Sequence, residues 1–194
     1  MLHRRQQQPP QAANDAEDEI EAHYHAVAAR DFDLATSTAK YYGTDLRILA
    51  YRLSVSGDYE GAAKVYRYVT ENYDPTDAYS WEYYAYNLAR SPNGALSKDA
   101  VLQAYEKAVE LAKDNPLYRG RLLGYRAELG EPVDGIVSEA CKLIAFYQMT
   151  VGSSAVTYFA EPVLNGLGRA KRPAAARSIL KKFPFVQRNK SFEW

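Results

Sequence analysis

The stretch GDYEGAAKVYRYVTENYDPTDAYSW, residues 57–81, most narrows what this chain can fold into. Gly57 marks a tight turn and Pro75 a second one. Between them Ala62, Tyr66, Val69 and Tyr73 fall at i, i+4, i+7 and i+11, the stripe of one amphipathic helix. Asp77 then opens another helix, which carries Trp81, Tyr84, Ala85 and Leu88 on its apolar side. Related turn-plus-helix units recur along the chain.

Read in order, residues 1–13 (MLHRRQQQPPQAA) are polar, rich in Gln and Pro, and free of acids. They read as a disordered or extended tail, or as the end of an organelle-targeting segment, since such segments are basic and acid-poor. Residues 14–30 predict a helix with Asp15, Glu17, Asp18, Glu19 and Glu21 near its positive N-terminal end. A second helix covers residues 31–42 and stops at Gly43. A third follows Asp45 and buries Leu46, Leu49, Ala50 and Leu53. Later helices are expected near residues 97–113, 117–129, 134–149, 154–168 and 173–182. Val101, Tyr105, Ala108 and Ala112 form the stripe of the first of these. Pro162 predicts a kink or break in the fourth, because proline removes a backbone donor. Residues 185–194 read as an extended tail. No strand pattern of useful length is present, so the chain reads as all-α, with its folded part spanning residues 14–184.

Composition excludes several classes. The 24 Lys and Arg balance 24 Asp and Glu, which argues against a nucleic-acid binder relying on net charge. A single cysteine, Cys141, permits no internal disulfide and fits a reducing compartment. The longest charge-free run, residues 143–160, includes Gln148, Gly152, Ser153 and Ser154. It reads as a helix, a turn and the next helix rather than a membrane span. The 17 tyrosines suit packed stripes and protein interfaces, since each joins a large ring to a polar tip.

Paired helices of about 12 residues at a period near 34 suggest a helical repeat. Leu49-Ala50, Leu53, Gly57-Asp58-Tyr59, Ala62, Tyr66, Val69 and Pro75 resemble a tetratricopeptide repeat. AYEKAVEL, residues 104–111, with Asn115-Pro116 is similar to the second helix of another. Residues 57–81 also resemble a pentatricopeptide unit. The resemblance implies a right-handed α-solenoid of about ten antiparallel helices in five pairs, its groove lined by the first helix of each pair. Carried over from Gly57, it places Arg47, Tyr51, Ser54 and Val55 in that groove. Carried over from Trp81 it adds Tyr79, Glu82, Tyr86 and Arg90, and from Gly130 it adds Leu117, Gly120, Gly124 and Glu128. The chaperone-tail clamp of lysines and asparagines is absent, since Arg47 and Tyr51 stand at those positions. The base-reading pair of pentatricopeptide proteins is absent too, since Tyr83 and Ala78 stand there.

No catalytic constellation emerges. His23 and His25 lie two apart, whereas a metal pair on a helix uses i, i+3 or i, i+4. Cys141 shares an apolar stripe with Ile144 and Ala145 and reads as a small core residue. Gly166-Leu167-Gly168 lacks the lysine of a phosphate loop and reads as a turn. The acidic cluster at residues 15–21 lacks calcium-loop spacing. One asymmetry remains. Arg169, Lys171, Arg172, Arg177, Lys181, Lys182, Arg188 and Lys190 make the C-terminal end basic, opposite an acidic first helix. That end reads as ordinary polar capping, or as a surface on which Arg169 and Arg172 dock an acidic protein, ahead of nucleic acid or anionic lipid.

These readings converge on a non-catalytic protein–protein interaction module with no cofactor, an accessory or assembly subunit whose partners are the other subunits of a larger complex. An intracellular setting is expected, mitochondrial ahead of cytoplasmic. In size and mixed repeat character the chain is similar to the small helical-repeat subunits attached to the F1 head of euglenozoan ATP synthases. The alternative is an RNA-binding helical-repeat protein.

Overall fold

Gly57 takes a left-handed φ of +87°, which a side chain would resist, and this closes the first described helix. Asp58 N–H then donates to the carbonyl of Leu53, satisfying an end that would otherwise be bare. The computed structural model describes residues 46–186. The helices read at residues 14–30 and 31–42, the three histidines and nearly all of both tails lie outside these residues.

Eight α-helices follow one another: α1 (Leu46–Val55), α2 (Tyr59–Tyr68), α3 (Ala78–Arg90), α4 (Lys98–Leu111), α5 (Pro116–Glu128), α6 (Val133–Thr150), α7 (Ser153–Arg169) and α8 (Pro173–Lys182). There is no strand among the described residues, so the chain is all-α there. Three starts are capped by side chains. Asp58 accepts from Gly61 N–H at 3.0 Å, Asp77 from Tyr79 N–H at 3.2 Å, and Asn115 from Leu117 N–H at 3.0 Å. Each such cap contributes about 1 kcal/mol. Pro116 sits at the first turn of α5, where its missing N–H costs nothing.

Successive helices pack on one another along the whole described chain, and the core divides accordingly into three clusters. The first gathers Leu46, Leu49, Ala50, Val65, Tyr66 and Val69 from α1, α2 and the turn that continues α2. The second joins Ala85, Val101, Ala104, Tyr105 and Tyr125 from α3, α4 and α5. The third is built by α5 to α8 around Leu123, Ile136, Ile144, Phe159, Val163 and Ile179.

The most extensive helix contact joins α5 to α7 and skips α6. It is made by glycines. A methyl at Gly120 would strike the carbonyl oxygen of Phe159, one at Gly124 that of Pro162, and one at Gly166 that of Gly124. The absence of Cβ atoms lets the two backbones touch. Gly166 and Gly168 are therefore helical, not a turn, which corrects the sequence reading. Pro162 does not split the helix either. α7 runs unbroken from Ser153 to Arg169 with the proline inside it.

One stripe also changes direction. Ala62, Tyr66 and Val69 are fully buried, but Tyr73 is half exposed. The cause is a π-helical turn, Val69–Tyr73, in which Asp74 N–H reaches back to the carbonyl of Val69 at 2.8 Å. The wider turn shifts the register by about one residue and rotates Tyr73 off the core.

The glycine contact predicts a reversal of helix propensity. Gly135→Ala in α6, where nothing lies within 4 Å of the added methyl, should stabilise the fold by up to about 1 kcal/mol. Gly124→Ala should instead cost about 1–3 kcal/mol through overpacking. Urea denaturation followed by circular dichroism measures both, and equal effects would contradict the packing described. A second test concerns Tyr147, whose hydroxyl is buried with no hydrogen-bond partner among the described residues. Tyr147→Phe should leave stability unchanged or raise it by about 1 kcal/mol in the same assay.

Candidate functional site

Helices α3, α5 and α7 each present one polar stripe to a common groove of about 560 Å³. Tyr86 and Arg90 come from α3, Leu117, Arg121, Tyr125 and Glu128 from α5, and Tyr158, Asn165 and Arg169 from α7. The α5 and α7 stripes follow helical spacing, at i, i+4, i+8, i+11 and i, i+7, i+11.

Two ion pairs organise the groove. Arg169 Nε and Nη2 both donate to one Glu128 carboxylate oxygen, at 2.8 Å and 2.6 Å, tying the end of α7 to the end of α5. Arg121 forms an ion pair with Glu82, a wholly buried carboxylate of α3. The Arg121 guanidinium also lies 4.3 Å from the Tyr86 ring centre and 5.6 Å from that of Tyr83. Arg90 stacks on the same Tyr86 ring at 3.6 Å and donates to the Tyr86 carbonyl at 3.2 Å. One aromatic ring thus gathers two guanidiniums, an arrangement its π-electron cloud favours.

Behind Tyr86 runs a ladder of tyrosines. Tyr83 lies 6.0 Å from Tyr86, 4.4 Å from Tyr79, 5.4 Å from Tyr66 and 6.1 Å from Tyr51, between ring centres. Burial pushes the Tyr66, Tyr83 and Tyr105 hydroxyls well above the ordinary tyrosine range, so they stay neutral. Burial also raises the Glu82 carboxyl, to about 7, against the downward pull of Arg121 and Arg90.

The residues expected in a groove from the sequence therefore separate. Tyr86, Arg90, Leu117, Glu128 and Arg169 meet in the one just described. Glu82 lies beneath it, fully buried, so it faces no partner and instead anchors Arg121. Tyr51 and Tyr79 belong to the tyrosine ladder, with Tyr51 about half exposed at its outer end. Arg47 pairs with Asp77 at 3.2 Å, bracing α1 against the cap of α3. Ser54 is buried, while Val55 is exposed at the end of α1. Arg172 is exposed just beyond α7, outside the groove. Gly120 and Gly124 face α7 rather than open space. Their place in the groove is taken by the residues next to them, Arg121 and Tyr125. The helical spacing from Leu117 through Arg121 to Tyr125 and Glu128 was the signal that could have found them.

Cys141 is buried in the third cluster. Among the described residues no group of three His, Cys, Asp or Glu side chains is arranged to hold a metal, and no helix is long and apolar enough to cross a membrane. No protein-family model matches the chain, no curated protein matches it, and no solved structure matches it.

The buried carboxylate has a stability consequence with a definite sign. The folded protein holds the Glu82 proton up to about pH 7, whereas the ordinary value is 4.5. The contribution of this group is therefore complete below about pH 4.5 and lost as the pH rises through 7. Relative to Glu82→Gln, the native chain should lose on the order of 2 kcal/mol of stability between about pH 5 and about pH 8. Chemical denaturation of both proteins across that range checks it, and parallel profiles would contradict it.

Proposed function

We propose that this chain is a non-catalytic interaction protein, an accessory or assembly subunit that holds a segment of a partner along the groove of α3, α5 and α7. The observation that carries this reading is that three alternate helices contribute one side-chain stripe each to the same groove. Alternate helices share a surface when successive helices stack as antiparallel pairs into a solenoid. In that arrangement α3, α5 and α7 are the first helices of three successive pairs, and α4, α6 and α8 are the second helices. The tetratricopeptide-like residues Ala62, Tyr66 and Val69, all buried, agree with it. So does a core divided into clusters of neighbouring helices.

The groove also has the chemistry of an interface. Tyrosine and arginine dominate it, the residue types enriched where proteins bury binding surface. The helical-repeat likeness makes a mitochondrial assembly, such as an ATP synthase, the candidate complex.

Purification of the tagged chain from its native source under mild conditions, followed by native mass spectrometry with and without nuclease, tests the reading. A fixed set of protein companions that survives nuclease is the expected result. A monomer carrying RNA, or companions lost on nuclease treatment, would replace it with the RNA-binding alternative.

A further inference from the structure

Resting on that reading of the groove as a partner site, we propose that Arg90 and Arg121, gathered about the ring of Tyr86, receive a carboxylate-bearing segment of a partner protein. The argument begins with where positive charge is left over. Three arginines line the groove. Arg169 is closed by both of its hydrogen bonds to Glu128. Arg90 meets no carboxylate at ion-pair distance among the described residues; it stacks on Tyr86 and bonds a backbone carbonyl. Arg121 is held from below, through one Nη, by Glu82, and its side chain remains 18% exposed toward the groove. Attraction for an anion is therefore concentrated at the α3 end.

The stacking matters as much as the charge. A guanidinium lying on a ring turns its N–H edges outward in one plane, the geometry that grips a carboxylate with two parallel bonds. Tyr86 fixes Arg90 at 3.6 Å and Arg121 at 4.3 Å, and Glu82 holds Arg121 besides. Each guanidinium is thus held before any ligand arrives, Arg90 with one Nη on the Tyr86 carbonyl and Arg121 with one on Glu82. Their remaining N–H groups are left to the ligand, which lowers the entropy cost of binding. Tyr158, exposed on α7, adds aromatic surface to the same groove, suited to an apolar or aromatic residue beside the acid.

A nucleic acid fits less well. A phosphodiester running along the groove calls for positive charge spread along it, and the third arginine, Arg169, is already closed by Glu128. The chain as a whole has no net positive charge to compensate. A protein segment with a localised acidic group needs only the two guanidiniums at the α3 end.

The test uses fluorescence anisotropy with the full chain at low salt. The probes are a labelled peptide alternating Glu and Phe, its Gln/Phe and Lys/Phe counterparts, and oligouridine. The Glu/Phe peptide should bind about tenfold or more tighter than the Gln/Phe peptide, and the advantage should shrink as salt rises. Arg90→Glu should abolish that preference, and Arg90→Lys should retain part of it. Arg177→Glu, the same charge change on exposed α8, should leave it intact. Equal binding of the Glu and Gln peptides, tighter binding of oligouridine, or an unaltered preference in Arg90→Glu overturns the proposal.

Photocrosslinking from benzoylphenylalanine placed at Tyr158, within the native complex, separates this proposal from the broader one. Crosslinks to an acidic stretch of the partner support the carboxylate assignment. Crosslinks to a neutral or basic stretch end that assignment and leave the accessory role standing. A chain that purifies alone yet keeps the Arg90-dependent preference ends the accessory role and leaves the site.

Discussion

The direct contact of two backbones, α5 against α7, is the constraint on which the rest of this structure depends. Ordinary helices are held 8–10 Å apart by their side chains. Here Gly120, Gly124 and Gly166 remove that spacer, and carbonyl oxygens of Phe159, Pro162 and Gly124 occupy the space where methyls would stand. The close fit gains many small dispersion contacts along both helices. It also sets the groove. With α5 and α7 this near each other, the stripe from Leu117 to Glu128 lies beside the stripe from Tyr158 to Arg169, and Arg169 can close on Glu128.

The joint between α3 and α5 follows a different rule. Their backbones stay apart and side chains make the contact: the buried Glu82 of α3 reaches Arg121 of α5, which also lies against the Tyr86 and Tyr83 rings. Taking both charges out of water is costly, and their attraction offsets that cost only with good geometry. An apolar pair of the same size could have been as stable. What the charged pair adds is direction: a carboxylate on α3 has one cation to meet, so the two helices have one register. The same pair carries Arg121 to the groove, so the element that aligns the helices also supplies a binding side chain.

Local chemistry made much of the fold legible. Gly57 read as a turn and is one, because a left-handed residue without a side chain announces itself. Asp77 read as the start of a helix and caps α3 through its carboxylate. The apolar residues of α1 read as a face, and Leu46, Leu49 and Ala50 are buried. What escaped depended on contacts between distant residues. Gly166 and Gly168 read as a turn because glycine is a poor helix former, and only the carbonyls across α5 explain why glycine is required in a helix at position 166. Tyr73 escaped because a π-turn alters periodicity without an evident marker. In the groove, aligning α5 from Gly130 selected Gly120 and Gly124, one residue away from the side chains that line it. Glu82 was misplaced because an acidic residue on a tyrosine-rich helix reads as surface unless its distant arginine is known.

The glycine seam also bears on how the protein is made. Helices that rest on their sequence neighbours can settle as they emerge, because their contacts are local and close short loops. The first two clusters end with α5 and can form in that order. The far side of α5 cannot. Its bare backbone strip waits until α7, beginning at Ser153, has left the ribosome. Between those moments the nascent chain carries the packed helices α1 to α4 and an unsheathed α5, and synthesis of some forty further residues must finish before that helix is covered.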